Sequence, residues 1–399
     1  MTGQVHPPPL SRGIGDSDQV GPNRAVAVGR RVGWAALGYL GAIAVMPLAG
    51  ALAAGENPWQ FLAFPPKPRP LPDPQTFSAP LFALTAALLL LGLAPFLVRI
   101  ARSATPPAPE VPGRYPGFTW VGALAIGLAW GLAWSRFDWA RPLQPFIFTP
   151  LWLGYIVTMN GLCQRRAGHC PMLERPRFFL ALFPASALFW WSFEYLNQFV
   201  GNWQYFGRGT PGPWLDFLES SLPFSTVLPA VWSTAAYLET FPGLGRGLDR
   251  CGRPRLPSPR AFGAGAVALG LVSLAGVGAA PRQAYPLVWL APLALATGWS
   301  LLLGLATPLA TALASGDWRR PWRFALAGLL CGGFWELWNF RSLVHWEYRI
   351  PYLDAYKLFQ MPLLGYAGYL PFGVLCAAVA DWLMALEGKK AVSGAENRL

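Results

Sequence analysis

Glu194 and Asn197 stand three residues apart in the stretch FWWSFEYLNQFV, and Glu336 and Asn339 stand three apart in FWELWNF. On a helix, residues i and i+3 share a face, so each pair presents one polar spot. A carboxyl group on such an apolar face can move protons, hold a cation, or tie two helices together. An ionised carboxylate there is costly, so each Glu must be partnered, reached by water, or protonated.

Aromatic residues follow both pairs. Trp203 and Tyr205 come after the first, in NWQYF, and Trp346 and Tyr348 after the second, in HWEY. They suit the rim of a polar site, although an interfacial belt of Trp and Tyr is the simpler account of their positions. The second stretch adds Arg341, His345, Glu347, Arg349, Asp354 and Lys357. If only one copy is active, it is the better equipped, with Glu336, Asn339 and His345 as its catalytic candidates. Arg341 joins the four aromatics as a substrate-binding candidate.

Other chemistry is poorly supplied. Cys163, His169, Cys170 and Cys251 lack the paired CxxC spacing of a metal site. With His6, His169 and His345 as the whole histidine complement, paired intramembrane haem ligation has no donors. No GxxxxGK[ST] loop is present to hold nucleotide phosphates, and no Asp-rich cluster to hold a magnesium diphosphate. No cofactor and no metal are expected. Glu239 and Asp381 read as structural groups near helix ends.

The elements that must position these residues are membrane helices. Of 399 residues 54% are hydrophobic and 13% charged, about half the charged share of a soluble chain. The net charge of +12 comes as short clusters between apolar runs, with no basic face for nucleic acid. Runs near 20 apolar residues fall at 32–54, 79–101, 117–134, 146–163, 178–200, 222–240, 261–280, 285–313, 322–344 and 361–384. The run from Tyr285 is long enough to break, with Pro292 and Pro308 as places to do so. Alternate connections carry 22 of the 31 Lys and Arg residues, which puts both termini in the cytoplasm of a cell with an inner membrane. Glu194 and Glu336 then lie about 9 and 12 Å inside the outer ends of their spans.

An internal repeat relates 117–240 to 261–384. At an offset near 142, Pro150 matches Pro292, Glu194 Glu336, Asn197 Asn339, Pro229 Pro371, and Glu239 Asp381. Matches at Glu and Asn weigh more than matches at Leu or Ala, which fill any membrane helix. Each unit has four spans, so both copies share one orientation. The expected fold is all-α and polytopic: a polar tail (1–31), a two-helix segment (32–116), two tandem parallel four-helix repeats, and a second tail (385–399).

The stretch FEYLNQFVGNWQYFGRG, followed by LPFSTVLPAVW, resembles membrane carotenoid-modifying proteins of the lycopene cyclase and bacterioruberin-type hydratase group. The resemblance covers about 50 residues per repeat and implies that Glu194 and Glu336 act as acids on a polyene. The Glu-x-x-Asn pairing departs from that group's pattern. Three readings stay open: an enzyme acting on an apolar lipid or isoprenoid by proton transfer, a transporter or channel for a small solute or ion, and a membrane scaffold. The expected partners are the lipid bilayer and an apolar lipid or small-solute substrate, with no nucleic acid.

Overall fold

The computed structural model describes residues 22–66, 77–104, 113–209, 212–251 and 258–387. Fourteen helices appear among them. In chain order they are α1 (Pro22–Ala53), α2 (Ala79–Arg102), α3 (Gly117–Trp134), α4 (Phe148–Ala167), α5 (Pro171–Glu174), α6 (Pro176–Val200) and α7 (Pro213–Phe224). They continue with α8 (Val227–Glu239), α9 (Pro259–Ala279), α10 (Pro281–Ala284), α11 (Leu287–Leu302), α12 (Pro308–Ser315), α13 (Arg319–Asn339) and α14 (Tyr369–Glu387). Four short strands accompany them: β1 (Trp203–Phe206), β2 (His345–Tyr348), β3 (Lys357–Leu358) and β4 (Met361–Pro362). Of the expected tails, 1–21 and 388–399 lie outside the described residues, while 22–31 are already helix, as the start of α1, and 385–387 are the end of α14.

Much of the proline content marks helix starts. Among the described residues α2, α5, α6, α7, α9, α10 and α12 each carry Pro at one of the first two positions, where the missing N–H costs no helical hydrogen bond.

Each of the ten apolar runs contains helix, but their lengths differ from the expectation. Among the described residues six helices are long and apolar enough to cross a membrane: α1, α2, α3, α6, α9, and α14 with the turn before it. A seventh crossing follows if the turn Asp138–Phe146 and α4, bent by 62°, are one span. α8 has only 13 residues and α11 only 16. α13 is long, but Arg319, Arg320, Arg323 and Glu336 lower its apolar character. The run from Tyr285 does break, between Leu302 and Pro308, with Gly304 at φ +64°. Pro292 stays inside α11.

Packing follows one order twice. α3 lies on α4, α4 on α8 and α8 on α6; α9 lies on α11, α11 on α14 and α14 on α13. The two sets join where α8 meets α13 and α14 meets α6, and α1 runs along α9, α11 and α14. Without lipid-driven attraction between helices, close backbone approach supplies the contact. A Cβ on Gly122 would stand 2.7 Å from the Gly154 carbonyl, and one on Gly263 would stand 2.8 Å from the Gly298 carbonyl.

The α13–α14 contact is tighter. A Cβ on Gly373 would collide with the Phe324 carbonyl, and one on Gly328 with the Tyr369 carbonyl. Gly333, five residues after Gly328, has open space beside it. Gly373→Val is therefore expected to lower the detergent melting temperature by several degrees or abolish a monodisperse peak. Gly333→Ala should leave both unchanged, and equal behaviour of the two variants would refute this packing.

Candidate functional site

Helix α6 ends because Gly201 takes a left-handed conformation, φ +60°, open to glycine at no steric cost. The chain then turns back over the helix end, and Asn197 holds it there. Its Oδ1 accepts from the Asn202 and Trp203 amides at 2.8 and 3.3 Å, and its Nδ2 donates to the Trp203 carbonyl at 2.8 Å. Asn339 does the same at the end of α13. Its Oδ1 accepts from the Trp346 amide and its Nδ2 donates to the Trp346 carbonyl, both at 2.7 Å.

Each asparagine thus anchors a strand, and the two strands pair. β1 and β2 run antiparallel with Trp203 opposite Tyr348 and Tyr205 opposite Trp346. The Arg349 amide extends the ladder by donating to the Asn202 carbonyl. Both strands lie at one end of the bundle, here called the ribbon end. At the opposite end, where α13 begins and α8 ends, Arg166, Arg246, Arg319, Arg320 and Arg323 gather; this is the basic end.

The ribbon delivers hydrogen-bond donors to the two carboxyl groups, which are 8% exposed at Glu194 and 0% at Glu336. Glu194 Oε1 accepts from Trp190 Nε1 at 2.9 Å, Trp203 Nε1 at 3.1 Å and the Tyr205 hydroxyl at 2.6 Å. Glu336 Oε1 accepts from the Tyr348 hydroxyl at 2.9 Å and the Tyr369 hydroxyl at 2.7 Å. Trp346 Nε1 in turn donates to the Tyr348 hydroxyl at 2.8 Å. Glu336 Oε2 is buried with no partner among the described residues.

These donors line a cavity of about 110 Å³, room for several waters or a ligand fragment. Eleven of its twenty lining residues are Trp, Tyr or Phe, and Gln144, Arg208, Glu219, Ser220 and His345 supply its polar part. Neither Glu lines it; both stand one layer back, behind the rings that they hold. Arg208 is neutralised by Asp216 at 2.9 Å and Glu219 at 3.2 Å.

The sequence-predicted residues therefore divide. Trp203, Tyr205, His345, Trp346 and Tyr348 line the cavity, and Trp203 is too deeply buried for an interfacial belt. Glu194, Glu336, Asn197 and Asn339 support its wall. His345 places Nδ1 3.2 Å from the Leu343 carbonyl and Nε2 3.4 Å from Glu347. Arg341 is not part of the lining; its carbonyl accepts from Arg136 at 2.9 Å. Trp190, Tyr369, Arg208 and Glu219 were missed. Trp190 lies four residues before Glu194 on the same helix face, a spacing that could have marked it; Tyr369 lies 33 residues after Glu336 and carried no such signal.

Glu239 and Asp381 make ion pairs at the basic end, with Arg323 at 2.6 Å and with Arg320. Asp381 also accepts from the Leu309 amide at 2.7 Å, at the start of α12. Among the described residues no three His, Cys, Asp or Glu side chains gather as a metal site.

Burial, and then the neighbouring carboxyl group, push the Tyr205 and Tyr348 hydroxyls well above the usual tyrosine value. Raised values keep both hydroxyls neutral, and donating, as pH rises through the ordinary tyrosine range near 10. In an alkaline titration read at 295 nm, Tyr205→Phe and Tyr348→Phe should remove no phenolate signal below about pH 11. A lost step near pH 10 in either variant would show that its hydroxyl is not buried against Glu.

No protein family, no curated protein and no solved structure matches this chain.

Proposed function

We propose that this integral membrane protein binds an apolar, unsaturated lipid of isoprenoid type in the aromatic cavity and transfers a proton to it. The observation that carries this reading is the two-layer wall: ring hydroxyls and indoles facing the cavity, each set backed by a buried carboxyl group. A greasy ligand gains from burial against the rings, and ring faces stabilise a cation that develops between them.

The proton would come from a tyrosine hydroxyl, since neither Glu reaches the cavity directly. As the hydroxyl protonates one carbon of a double bond, a protonated Glu returns a proton to the phenol oxygen, and the other carbon becomes cationic. Loss of a proton from the cation, back along the same relay, completes an isomerisation or cyclisation with no net consumption of acid. The unpartnered Oε2 of Glu336 holds the carboxyl proton at rest, and a half-turn of the carboxyl group brings that proton to the Tyr348 oxygen that Oε1 now faces. This chemistry agrees with the resemblance to carotenoid-modifying proteins, while moving the group that touches substrate from Glu to Tyr.

The architecture we infer around it is ten membrane segments, with 117–240 and 261–384 as two parallel copies. Two features support the duplication. The packing order is the same in both sets, and the ribbon pairs Trp203 with Tyr348 and Tyr205 with Trp346, as a twofold axis along the bundle would require. The basic end then faces the cytoplasm and the cavity opens toward the outer side.

One observation favours a second reading, a carrier. A further cavity, of about 340 Å³, lies at the basic end beside Glu239 and Arg323, and two cavities on opposite ends suit alternating access. Solute uptake into proteoliposomes that is abolished in the double variant Glu194→Gln/Glu336→Gln would decide for it.

The enzyme reading is tested by mass spectrometry of small molecules that co-purify in mild detergent. Wild type should carry a polyprenoid or related lipid, and Tyr348→Phe should retain it unconverted. Glu336→Gln should lower turnover of that lipid by about 10²-fold or more, the usual share of a general acid. Unchanged turnover in both variants would sink the relay.

A further inference from the structure

The basic end carries a feature that the proton-transfer reading does not use. Arg319, Arg320 and Arg323 crowd the first turns of α13, where the helix dipole opposes positive charge. They line the cavity of about 340 Å³ together with Glu239, Asp317 and Trp322. Each guanidinium has one carboxylate partner: Asp317 for Arg319 at 2.7 Å, Asp381 for Arg320, and Glu239 for Arg323 at 2.6 Å. The Nε groups of Arg320 and Arg323 are nonetheless buried without an acceptor among the described residues. The Glu239 side chain is 63% exposed against 18% for Arg323, so water competes for the carboxylate while the guanidinium stays mostly enclosed.

Beside this cavity stands α2, which has the highest mean hydropathy of the candidate spans, 2.5, and no buried residue. It is attached at its ends. Phe77 and Phe82 pack on Tyr356. At the other end Phe96 stacks on Trp322 with ring centroids 5.4 Å apart and planes 4° from parallel, and Arg246 donates to the Ile100 carbonyl. Between these attachments Thr85, Leu89 and Leu93 form a half-covered stripe, while Leu84, Leu88 and Leu91 are exposed. The C-terminal half of a loosely seated apolar helix therefore borders the arginine cavity, with Trp322 common to both.

We propose that an anionic phospholipid binds here, its phosphate against Arg320 and Arg323 and an acyl chain between α2 and the bundle. Phosphate oxygens supply the acceptors that the two Nε groups lack, and they do so at the depth where lipid headgroups gather. The chain fills the loose side of α2, which protein leaves half covered. Neither feature alone selects this ligand: a phosphate ion would leave the α2 face as it is, and a neutral lipid would leave the guanidinium groups as they are. The site is independent of the aromatic cavity and of what happens there.

Native mass spectrometry of the full chain, titrated with phosphatidylglycerol, phosphatidylcholine of the same chains, and glycerol phosphate, tests the proposal. Phosphatidylglycerol should bind at least about fivefold more tightly than phosphatidylcholine, the worth of one arginine–headgroup contact, and glycerol phosphate should not bind measurably. Arg323→Gln should abolish the preference. Should that variant fold poorly, Leu89→Trp, which narrows the α2 side and leaves every arginine in place, should weaken phosphatidylglycerol binding to a similar degree. Equal binding of the two lipids, binding of glycerol phosphate as tight as that of the whole lipid, an unchanged preference in a folded Arg323→Gln protein, or undiminished phosphatidylglycerol binding by Leu89→Trp would each overturn it.

Discussion

A carboxyl group buried between membrane helices must find donors that do not come from water, and the way Glu194 and Glu336 meet that demand organises the ribbon end. Helix backbones cannot help, because their own N–H groups are already used within the helix. The donors are side chains: Trp190 one turn earlier on α6 and Tyr369 on α14, joined by Trp203, Tyr205 and Tyr348 on chain that folds back over the helix ends. That return needs a turn, supplied for α6 by Gly201, and an anchor, supplied by the asparagine one turn after each Glu.

Once the chain has returned, its backbone polar groups need partners too. Pairing β1 with β2 answers that, and it ties α6 to α13 across the bundle. The tyrosines and tryptophans are then fixed from both sides, by strand register and by the carboxyl oxygens. The glycines of α13 belong to the same arrangement. A Cβ on Gly332 would strike the Tyr369 ring, so a small residue there lets Tyr369 bring its hydroxyl to Glu336. Helix approach, hydrogen-bond satisfaction and cavity shape are one constraint seen at three scales.

The two ends of the bundle solve opposite problems. At the ribbon end the two buried glutamates withdraw behind aromatic rings, leaving a cavity wall that is largely aromatic with a few polar groups, the usual composition of a ligand site. At the basic end the charges pair one to one, Arg323 with the exposed Glu239 and Arg320 with the buried Asp381. Replacing one member of a half-buried pair strands the other, so Asp381, fully buried, bears on the fold as much as on charge.

The sequence by itself determined that the chain is helical and apolar, where its apolar runs lie, and that Glu194 with Asn197 and Glu336 with Asn339 each share a helix face. Those properties are local: composition and a 3.6-residue period fix them. It also singled out Trp203, Tyr205, Trp346 and Tyr348, through their recurrence after each pair. Only the tertiary structure decided what these residues do to one another. That the asparagines clamp strands, that the strands pair, that Tyr369 reaches Glu336 from 33 residues away, and that both carboxyl groups stand behind the cavity wall are matters of contact between distant segments. Helix lengths such as the 13 residues of α8 were likewise decided by packing and turns, because an apolar run states that a segment avoids water and not where its helix must stop.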